Sequence, residues 1–388
     1  MSRKLVRRHA ALTPKLVLLL CALSPKWVAS QSATGTVQGT VRAALQDAPL
    51  PFAVVSIPTL SIERFSDAEG RFTLAAVPVG TYEFVVRRIG YVPFRRRIEI
   101  VAAGSTQVDV RLSRIPAQLT TQTVRAIGNC PRPGSPDRTR NPMVAELVSL
   151  LRENADRYRL LATQHPFQYL QVRATGVLSD ADVMVQRVDT ILVTSAGMRT
   201  YRPGAIVTQQ RNAAGVLEYV MTIPTIVDLA DDLFAKNHCF AFGGSSSHDG
   251  EAWLRLDVRA ADKIRSPDVH GSFYLDSASS ELRRMDLTMS RPDRLPRLFR
   301  NVEAVDVVTS FRPIASGLSV IDKVCGQNRL RPLGIRTQSV MPVELQQLLT
   351  YEFTAPPPFG VEKSASVTPP ADWIVGSRLP RSAMWCTD

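Results

Sequence analysis

The sequence predicts a mainly β protein with two domains that follow an export signal. Three observations predict this: a short apolar run near the N-terminus, short alternating strands over residues 66–94, and further alternating segments after residue 166. A length of 388 residues is enough for two domains. We expect a small β-sandwich first, and then an antiparallel β-rich domain, a barrel or a half-barrel, with one or two helices.

Residues 1–30 have the composition of a bacterial secretory signal. Positive charges without any acid precede a short apolar run over residues 16–23, and small residues lead up to Ser30. The run is too short for a membrane-spanning helix, and later segments are no better suited, so we expect no transmembrane helix in the mature chain. The signal holds six of the net +12 charges, which weakens the case for a nucleic-acid partner. The mature chain is expected in the periplasm or on the outer-membrane surface.

The strands of the first domain are separated by turn residues. Gly70 follows short polar residues that tolerate irregular backbone, and it can adopt a positive φ at no steric cost. Phe72, Leu74 and Ala76 then alternate with more polar positions, which is the period of a strand with one buried face. Pro78 begins the next turn, and a second alternating strand follows it. This pattern is typical of a run of short antiparallel strands.

The same region resembles the carboxypeptidase regulatory-like domain. The resemblance is carried by the segments APLPFAVVSIP, SDAEGRFTL and VPVGTYEFVVRRIGY, and by a strand that enters at Gly39. It covers roughly residues 35–113 and implies a seven-stranded, transthyretin-like β-sandwich, a fold also grouped with carbohydrate-binding-like folds. Because function is carried by sites and not by folds, the resemblance implies no activity.

We place the sandwich at residues 31–114, a linker at 115–140 and the second domain at 141–388. Asn141 and Pro142 have the pattern of a helix start, since proline at the first helical position costs no hydrogen bond. Apolar residues recur at steps of three and four up to Pro166, which predicts a helix laid against a sheet. A second, shorter helix is predicted over residues 225–235, with Thr225 as its N-cap.

The remaining segments of the second domain alternate as strands. The clearest is the hairpin over residues 271–287, in which two alternating runs flank a polar turn. It is similar to hairpins of the periplasmic lipoprotein-carrier class, whose half-barrel holds acyl chains under a helix. The chain as a whole resembles exported bacterial proteins that join an N-terminal regulatory-like sandwich to an uncharacterised β-domain.

Four cysteines remain after the signal is removed. They are Cys130, Cys239, Cys325 and Cys386, an even number in an oxidising compartment, so two disulfides are expected. Three connectivities are open, of which we favour Cys130 with Cys239 and Cys325 with Cys386. The first would hold the linker against the second domain, and the second would fix the C-terminus.

A zinc hydrolase is the alternative that the name of the resembling family raises. His248 and Glu251 have the H-x-x-E spacing of metallocarboxypeptidases, and His270 would be the third ligand. The first two lie in a glycine- and serine-rich hairpin loop, and the third follows closely in the sequence. In that family the sandwich also follows the catalytic domain, whereas here it comes first. We therefore expect no catalytic residue, no metal and no cofactor.

Two further surfaces are candidates for binding. An arginine cluster on neighbouring strands could meet an acidic partner or a lipid headgroup; it comprises Arg87, Arg88, Arg95, Arg96 and Arg97. Tyr82, Tyr91 and Phe94 are the stacking platforms of a second alternative, a carbohydrate-binding sandwich.

The favoured hypothesis is an exported, non-catalytic envelope protein. Its sandwich docks, and its second domain binds an envelope protein, a glycan, a lipid or another apolar ligand.

Overall fold

A computed structural model describes most of the chain after the expected signal. The described residues are 33–115, 128–179, 182–195, 201–211, 215, 217–248, 250–299, 301–330, 341–358, 360–381 and 384. The expected signal over residues 1–30 lies outside this part, and so does Cys386. In the described part the protein is mainly β with two α-helices, as the sequence predicts. None of the described helices has the length and apolar character needed to span a bilayer.

The N-terminal domain is a β-sandwich of two four-stranded sheets in the described residues. Its strands β1 to β8 are Thr34–Ala43, Val54–Ile57, Ile62–Phe65, Arg71–Pro78, Gly80–Arg87, Phe94–Ile100, Ser105–Gln107 and Val110–Leu112. One sheet joins β4, β1, β7 and β8, and the other has the order β3-β2-β5-β6. The last segment of the sandwich is interrupted at Val108 and Asp109 and forms two short strands, β7 and β8, both parallel to β1.

The sandwich core fills the space between the two sheets. Val37, Leu74 and Phe84 are buried in it, and the rings of Phe72 and Phe84 lie 5.7 Å apart. Gly39 on β1 allows the close approach of the neighbouring strand, because a Cβ there would lie under 3.0 Å from the Val108 carbonyl oxygen. Phe72 and Leu74 lie on the buried face of β4 as predicted. The alternation fails at Ala76, which is exposed with a φ of 54°, and Val77 is buried instead.

The C-terminal domain begins with the long helix α1, Pro142–Gln164, and is built around one antiparallel sheet. Strands β9 to β21 are Phe167–Leu178, Asp182–Thr194, Val207–Arg211, Leu217–Met221, His238–His248, Glu251–Ala260, Asp268–Asp276, Leu282–Ser290, Val302–Ala315, Leu318–Leu330, Met341–Phe353, Ser364–Ser366 and Arg378–Pro380. The second helix, α2, is Asp232–Lys236 and follows a short 3-10 turn, Ile226–Ala230, capped by Thr225.

The large sheet has eleven strands in the described residues, in the order β13-β14-β15-β16-β17-β18-β19-β9-β10-β21, with β20 paired to β19. The sheet is open between its end strands, which fits the half-barrel alternative. β9 and β10 are the first two strands of the domain in the sequence. In the sheet they lie next to β19, the last long strand, because β9 pairs with β19 and β10 pairs with β9.

The helix α1 covers what we call the inner face of the sheet. Leu151, Tyr158 and Leu161 on the helix are buried against sheet residues that include Phe167 and Phe273. The hydroxyl groups of Tyr158 and Tyr169 lie 2.9 Å apart in this core, and burial raises the pKa of Tyr169 to about 12. Side chains of the helix and the sheet fill this region of the inner face by packing on each other. A half-barrel that holds acyl chains would instead need apolar walls that face an open space.

A second apolar cluster covers part of the opposite, outer face. The C-terminal segment folds back there and buries Trp373, Leu379 and Met384 against β9, β18 and β19. Cys325 is fully buried in this cluster. Since its predicted partner lies outside the described residues, the pairing of Cys325 with Cys386 stays a prediction.

Candidate functional site

The two domains meet at a buried junction, which we define by its central side chain, Arg157 of α1. Arg157 is 1% exposed. It donates from Nε to the Gly317 carbonyl oxygen at 2.8 Å and from Nη1 to the carbonyl oxygen of Phe52 in the sandwich. Burial lowers the pKa of Arg157 to about 9, so the group is still charged at pH 7. One guanidinium thus joins a sandwich loop, the helix and the β17–β18 turn.

The backbone of the β17–β18 turn is adapted to this arginine. Gly317 has a φ of +74°, which a residue with a side chain adopts only under strain. A Cβ at this position would lie under 3.0 Å from the guanidinium groups of both Arg88 and Arg157. The amide of Gly317 in turn donates to the buried carboxylate of Glu281. Glycine is therefore required for the sandwich arginine and the helix arginine to reach the same turn.

The structure corrects the predicted arginine patch. Arg87 points into the junction, where its guanidinium donates to Glu153 at 2.8 Å and to Asp156 at 3.1 Å. Arg88 is 8% exposed and donates to the hydroxyl and carbonyl oxygens of Ser316. These two arginines bind the second domain of the same chain, so they cannot belong to a free surface for an external partner. Arg95, Arg96 and Arg97 on β6 are exposed.

Carboxylates of both domains neutralise the positive charge of the junction arginines. Glu63 of β3 accepts from Arg159 at 2.9 Å and pairs with Arg87 at 3.4 Å. The side chain of Glu153 is 12% exposed, and burial raises its pKa although Arg87 opposes the shift. The junction is thus an alternating network of cations and anions that is shared by the two domains.

A cleft of about 780 Å³ opens beside the junction, between the sandwich and the end of α1. We call it the interdomain cleft. The sandwich contributes the β3–β4 turn with its flanks, and the other wall comes from the helix end and Pro358. The rings of Phe65 and His165 stack with centroids 6.5 Å apart, one from each wall. The polar side chains that line it include Arg64, Asp67, Arg71, Thr73, Thr163 and Gln164.

The local fold positions the polar side chains of this cleft. Asp67 accepts from the backbone amides of Glu69 and Arg71, and it also accepts from the Arg71 guanidinium at 2.9 Å. The turn is thereby fixed by its own aspartate. On the opposite wall, Gln164 donates to the Glu63 carbonyl oxygen, and His165 Nδ1 lies 2.7 Å from the Pro356 carbonyl oxygen. The cleft therefore has walls that are held by backbone contacts on both sides.

The candidate zinc ligands are not brought together. His248 and Glu251 face each other at the tip of the β13–β14 hairpin, where Glu251 accepts from Trp253 and pairs with Arg283. His270 pairs instead with Arg259, eight positions along β14 from Glu251, which corresponds to roughly 27 Å of strand. In the described part of the chain, no three histidine, cysteine or acidic side chains form a group that could hold a metal ion.

The candidate stacking aromatics belong to the sandwich interior. Tyr82, Tyr91 and Phe94 are partly buried and pack against the sandwich core. The Tyr82 hydroxyl donates to the Val79 carbonyl oxygen at 3.3 Å, and the guanidinium of Arg114 lies 5.9 Å from the Tyr91 ring centre. All three side chains are thus partly taken up by contacts within the sandwich.

The first predicted disulfide is present. Cys130 and Cys239 are bonded across 109 residues of sequence. Two neighbouring contacts hold the same segment, because the Cys130 amide donates to the Asp262 carboxylate at 3.1 Å and the Gly134 amide donates to the His238 carbonyl oxygen at 3.0 Å. The chain between the domains is therefore tied to the first edge of the large sheet, as predicted.

A buried polar cluster next to this disulfide was not recognised from the sequence. Asp268 is fully buried and accepts from the Tyr201 hydroxyl, from the Gly204 amide at 2.6 Å and from the Val269 amide at 2.7 Å. His238 is also fully buried, with Nε2 at 3.6 Å from the Asp268 carboxylate. Because water and solutes do not reach these groups, we interpret the cluster as an anchor for the chain between β10 and β13. No spacing in the sequence indicates that these distant residues meet.

Comparison with known proteins identifies the first domain. Residues 36–113 match the family model of the carboxypeptidase regulatory-like domain, as the sequence resemblance implied. No curated protein matches the chain. Similar solved structures include a DUF1329 family protein from Desulfovibrio piger, with 10% identity and a TM-score of 0.30, covering 55% of this chain and 95% of that one.

Another similar structure is a LolA superfamily protein from Nitrosomonas europaea. It has 11% identity and a TM-score of 0.26, and the match covers 54% of this chain and 94% of that one. Identities and TM-scores at this level do not indicate a shared function.

Proposed function

We propose that the chain is an exported, non-catalytic binding protein of the bacterial envelope that holds its ligand in the interdomain cleft. The observation that carries the proposal is the cleft itself, which both domains line. A volume of about 780 Å³ lies within the usual range of ligand sites, and such sites occur preferentially at domain interfaces. The signal-like residues 1–30 and the disulfide of Cys130 with Cys239 support export.

The lining of the cleft favours a saccharide as the ligand. Planar polar groups that bond hydroxyls in pairs, such as those of Arg64, Asp67 and Gln164, lie beside the partly buried ring of Phe65. The ring of Phe65 itself has His165 stacked with centroids 6.5 Å apart and the guanidinium of Arg157 at 5.6 Å from its centre. Sugar recognition in this proposal therefore rests on the polar side chains that line the cleft.

Two other functions have less support. An acyl ligand would need an open apolar space on the inner face, where α1 and the sheet pack against each other. A zinc hydrolase would need His248, Glu251 and His270 around one point, and the strand register separates His270 from the other two.

The exposed arginines Arg95, Arg96 and Arg97 are a docking surface for an acidic envelope partner in this proposal.

A cleft-blocking variant tests the proposal. Thr73 is an exposed residue of β4 that lines the cleft. Tryptophan at this position, Thr73→Trp, is expected to occupy part of the cleft and to lower the affinity for a bound envelope glycan by about tenfold or more. The measurement is a glycan array with the purified protein, followed by titration calorimetry on each glycan that binds.

The matched control is Thr81→Trp, which places the same side chain on an exposed position of β5 away from the cleft. It should bind glycans like the original protein. The proposal is wrong if no glycan binds saturably, or if both tryptophan variants weaken binding equally.

A further inference from the structure

A second pocket lies on the outer face of the large sheet, on the opposite side from α1. Its volume is about 340 Å³, and it is formed by β14 to β18 near the point where β16 ends. We call it the outer-face pocket. Its charged and polar lining includes Arg259, His270, Thr288, Arg291, Glu303 and Arg329. Three arginines and one histidine thus face one glutamate, so the lining has an excess of positive charge.

Strand register assembles this pocket from distant parts of the sequence. Arg259 pairs with His270, His270 pairs with Thr288, and Thr288 pairs with Asp306, so these residues form one row across four strands. Paired residues point to the same side of a sheet. Val269 and Phe273, which alternate with His270 along β15, lie in the inner-face core. The row therefore projects from the outer face.

Asp306 positions two donors of the pocket. Its carboxylate accepts from the Thr288 hydroxyl at 2.7 Å and from Arg329 Nε at 2.9 Å. Because a guanidinium has five N–H donors, the bond from Nε orients Arg329 and leaves most of its donor capacity. Asp306 is thus a positioning residue at the end of the row, and its carboxylate neutralises part of the positive charge of the arginines.

Arg291 is held in the pocket by an unusual backbone. Its φ of 52° and ψ of 54° lie in the left-handed region, which costs energy for a residue with a side chain. Pro292 begins a 3-10 turn directly after it, and the Arg291 guanidinium donates to the Ala261 carbonyl oxygen at 3.4 Å. Backbone strain of this kind is common at binding sites, where the position of a side chain matters more than local stability.

We propose that the outer-face pocket binds a phosphate-type oxyanion, held by Arg291, Arg329 and Arg259 with Thr288 and His270 as additional polar contacts. Arginine suits this ligand because its planar group can donate two parallel hydrogen bonds to one oxyanion. The phosphate could be free or could belong to a lipid headgroup, and the chemistry of the pocket is the same for both. The pocket is separate from the interdomain cleft, so the two proposals stand independently.

Inorganic phosphate is the first probe. Titration calorimetry of the purified protein, with sodium chloride adjusted to constant ionic strength, should show saturable phosphate binding. Arg291→Asn should weaken binding by about tenfold or more, since it removes a charged donor while asparagine tolerates the left-handed backbone. The matched control is Arg294→Asn, which makes the same exchange at an exposed arginine that pairs with Asp293 outside the pocket.

Histidine titration by NMR gives an independent measurement of the same site. Burial and the nearby Arg259 lower the pKa of His270, whereas Asp306 acts in the opposite direction. The other charged groups of the pocket are Arg291, Arg329 and Glu303. A bound phosphate should raise the pKa of His270, since it favours the charged ring, and should leave the signals of His165, His238 and His248 unchanged.

Vesicles separate the two sources of phosphate. If the ligand is a lipid headgroup, vesicles that contain phosphatidylglycerol should co-sediment the protein, phosphatidylcholine vesicles should not, and Arg291→Asn should abolish the difference. If the ligand is a soluble phosphate, calorimetry is positive and neither vesicle binds. The proposal is overturned if phosphate does not bind saturably and neither vesicle does, or if Arg291→Asn and Arg294→Asn weaken binding equally.

Discussion

Replacing Arg157 by methionine is expected to destabilise the protein by about 3–5 kcal/mol. The change keeps most of the side-chain volume but removes the donors to the carbonyl oxygens of Phe52 and Gly317. It also removes a positive charge that stabilises the buried carboxylates Glu153 and Glu281. Breaking a buried ionic network by removing one partner is costly, because the remaining charges stay buried without compensation.

Equilibrium unfolding in urea measures this effect, with Arg159→Met as the matched control. Arg159 lies two residues further on the same helix and pairs with Glu63, but 43% of its side chain is exposed. Replacing Arg159 by methionine should lower the free energy of unfolding by less than about 1 kcal/mol. The tryptophans beyond residue 30 all lie in the second domain, so tryptophan fluorescence follows that domain and far-ultraviolet circular dichroism follows both. Equal losses of unfolding free energy in the two variants would contradict a central role for Arg157.

Loss of the disulfide between Cys130 and Cys239 is expected to cost about 2–5 kcal/mol. The bond closes a segment of 109 residues that includes α1, β9 and β10. A link across so long a segment restricts the unfolded chain strongly, which is the main source of disulfide stabilisation in the chain-entropy account. The double variant Cys130→Ala, Cys239→Ala measures the loss in urea under oxidising conditions.

Reduction of the double variant then tests the second predicted pair. If Cys325 and Cys386 are bonded, dithiothreitol should lower the stability of the double variant further. Unchanged stability would mean that no second bridge contributes. A double variant that is as stable as the original protein before any reduction would contradict the stabilising role of the first bond.

The sandwich and α1 could be predicted because their signals are local. Gly70 and Pro78 mark turns within a few residues of the strands that they separate. The predicted helix start at Pro142 and its end before Pro166 agree with the observed bounds, since a proline at each end fixes them. The hairpin over residues 271–287 also forms as β15 and β16. The predicted short helix is instead split into a 3-10 turn and α2 at Asp231, which has extended backbone and accepts from the Leu233 amide as the N-cap of α2.

The binding surfaces were harder to predict because they depend on contacts between distant residues. Arg87 and Arg88 look like part of one basic cluster in the sequence. Arg87 is removed from the surface by contact with α1, and Arg88 by contact with the β17–β18 turn. His270 was considered as the third zinc ligand because it is the next histidine after the H-x-x-E spacing of His248 and Glu251. Its actual neighbours, Arg259, Thr288 and Arg291, follow from strand register and from a left-handed residue that no local pattern indicates.

The order of strands in the large sheet has a consequence for how the chain matures. Phe167 at the start of β9 pairs with Phe353 at the end of β19, so the first and last long strands of the domain are direct neighbours. Such distant pairing is slow to form because a long loop must close first. During synthesis the sandwich can fold as soon as it emerges, and β9 can pair with β10, whereas the other edge of β9 has to wait for β19 and so for nearly the whole polypeptide. A product that stops before residue 341 would leave one long edge of β9 without its partner, and an unpaired edge of this kind is prone to join other chains.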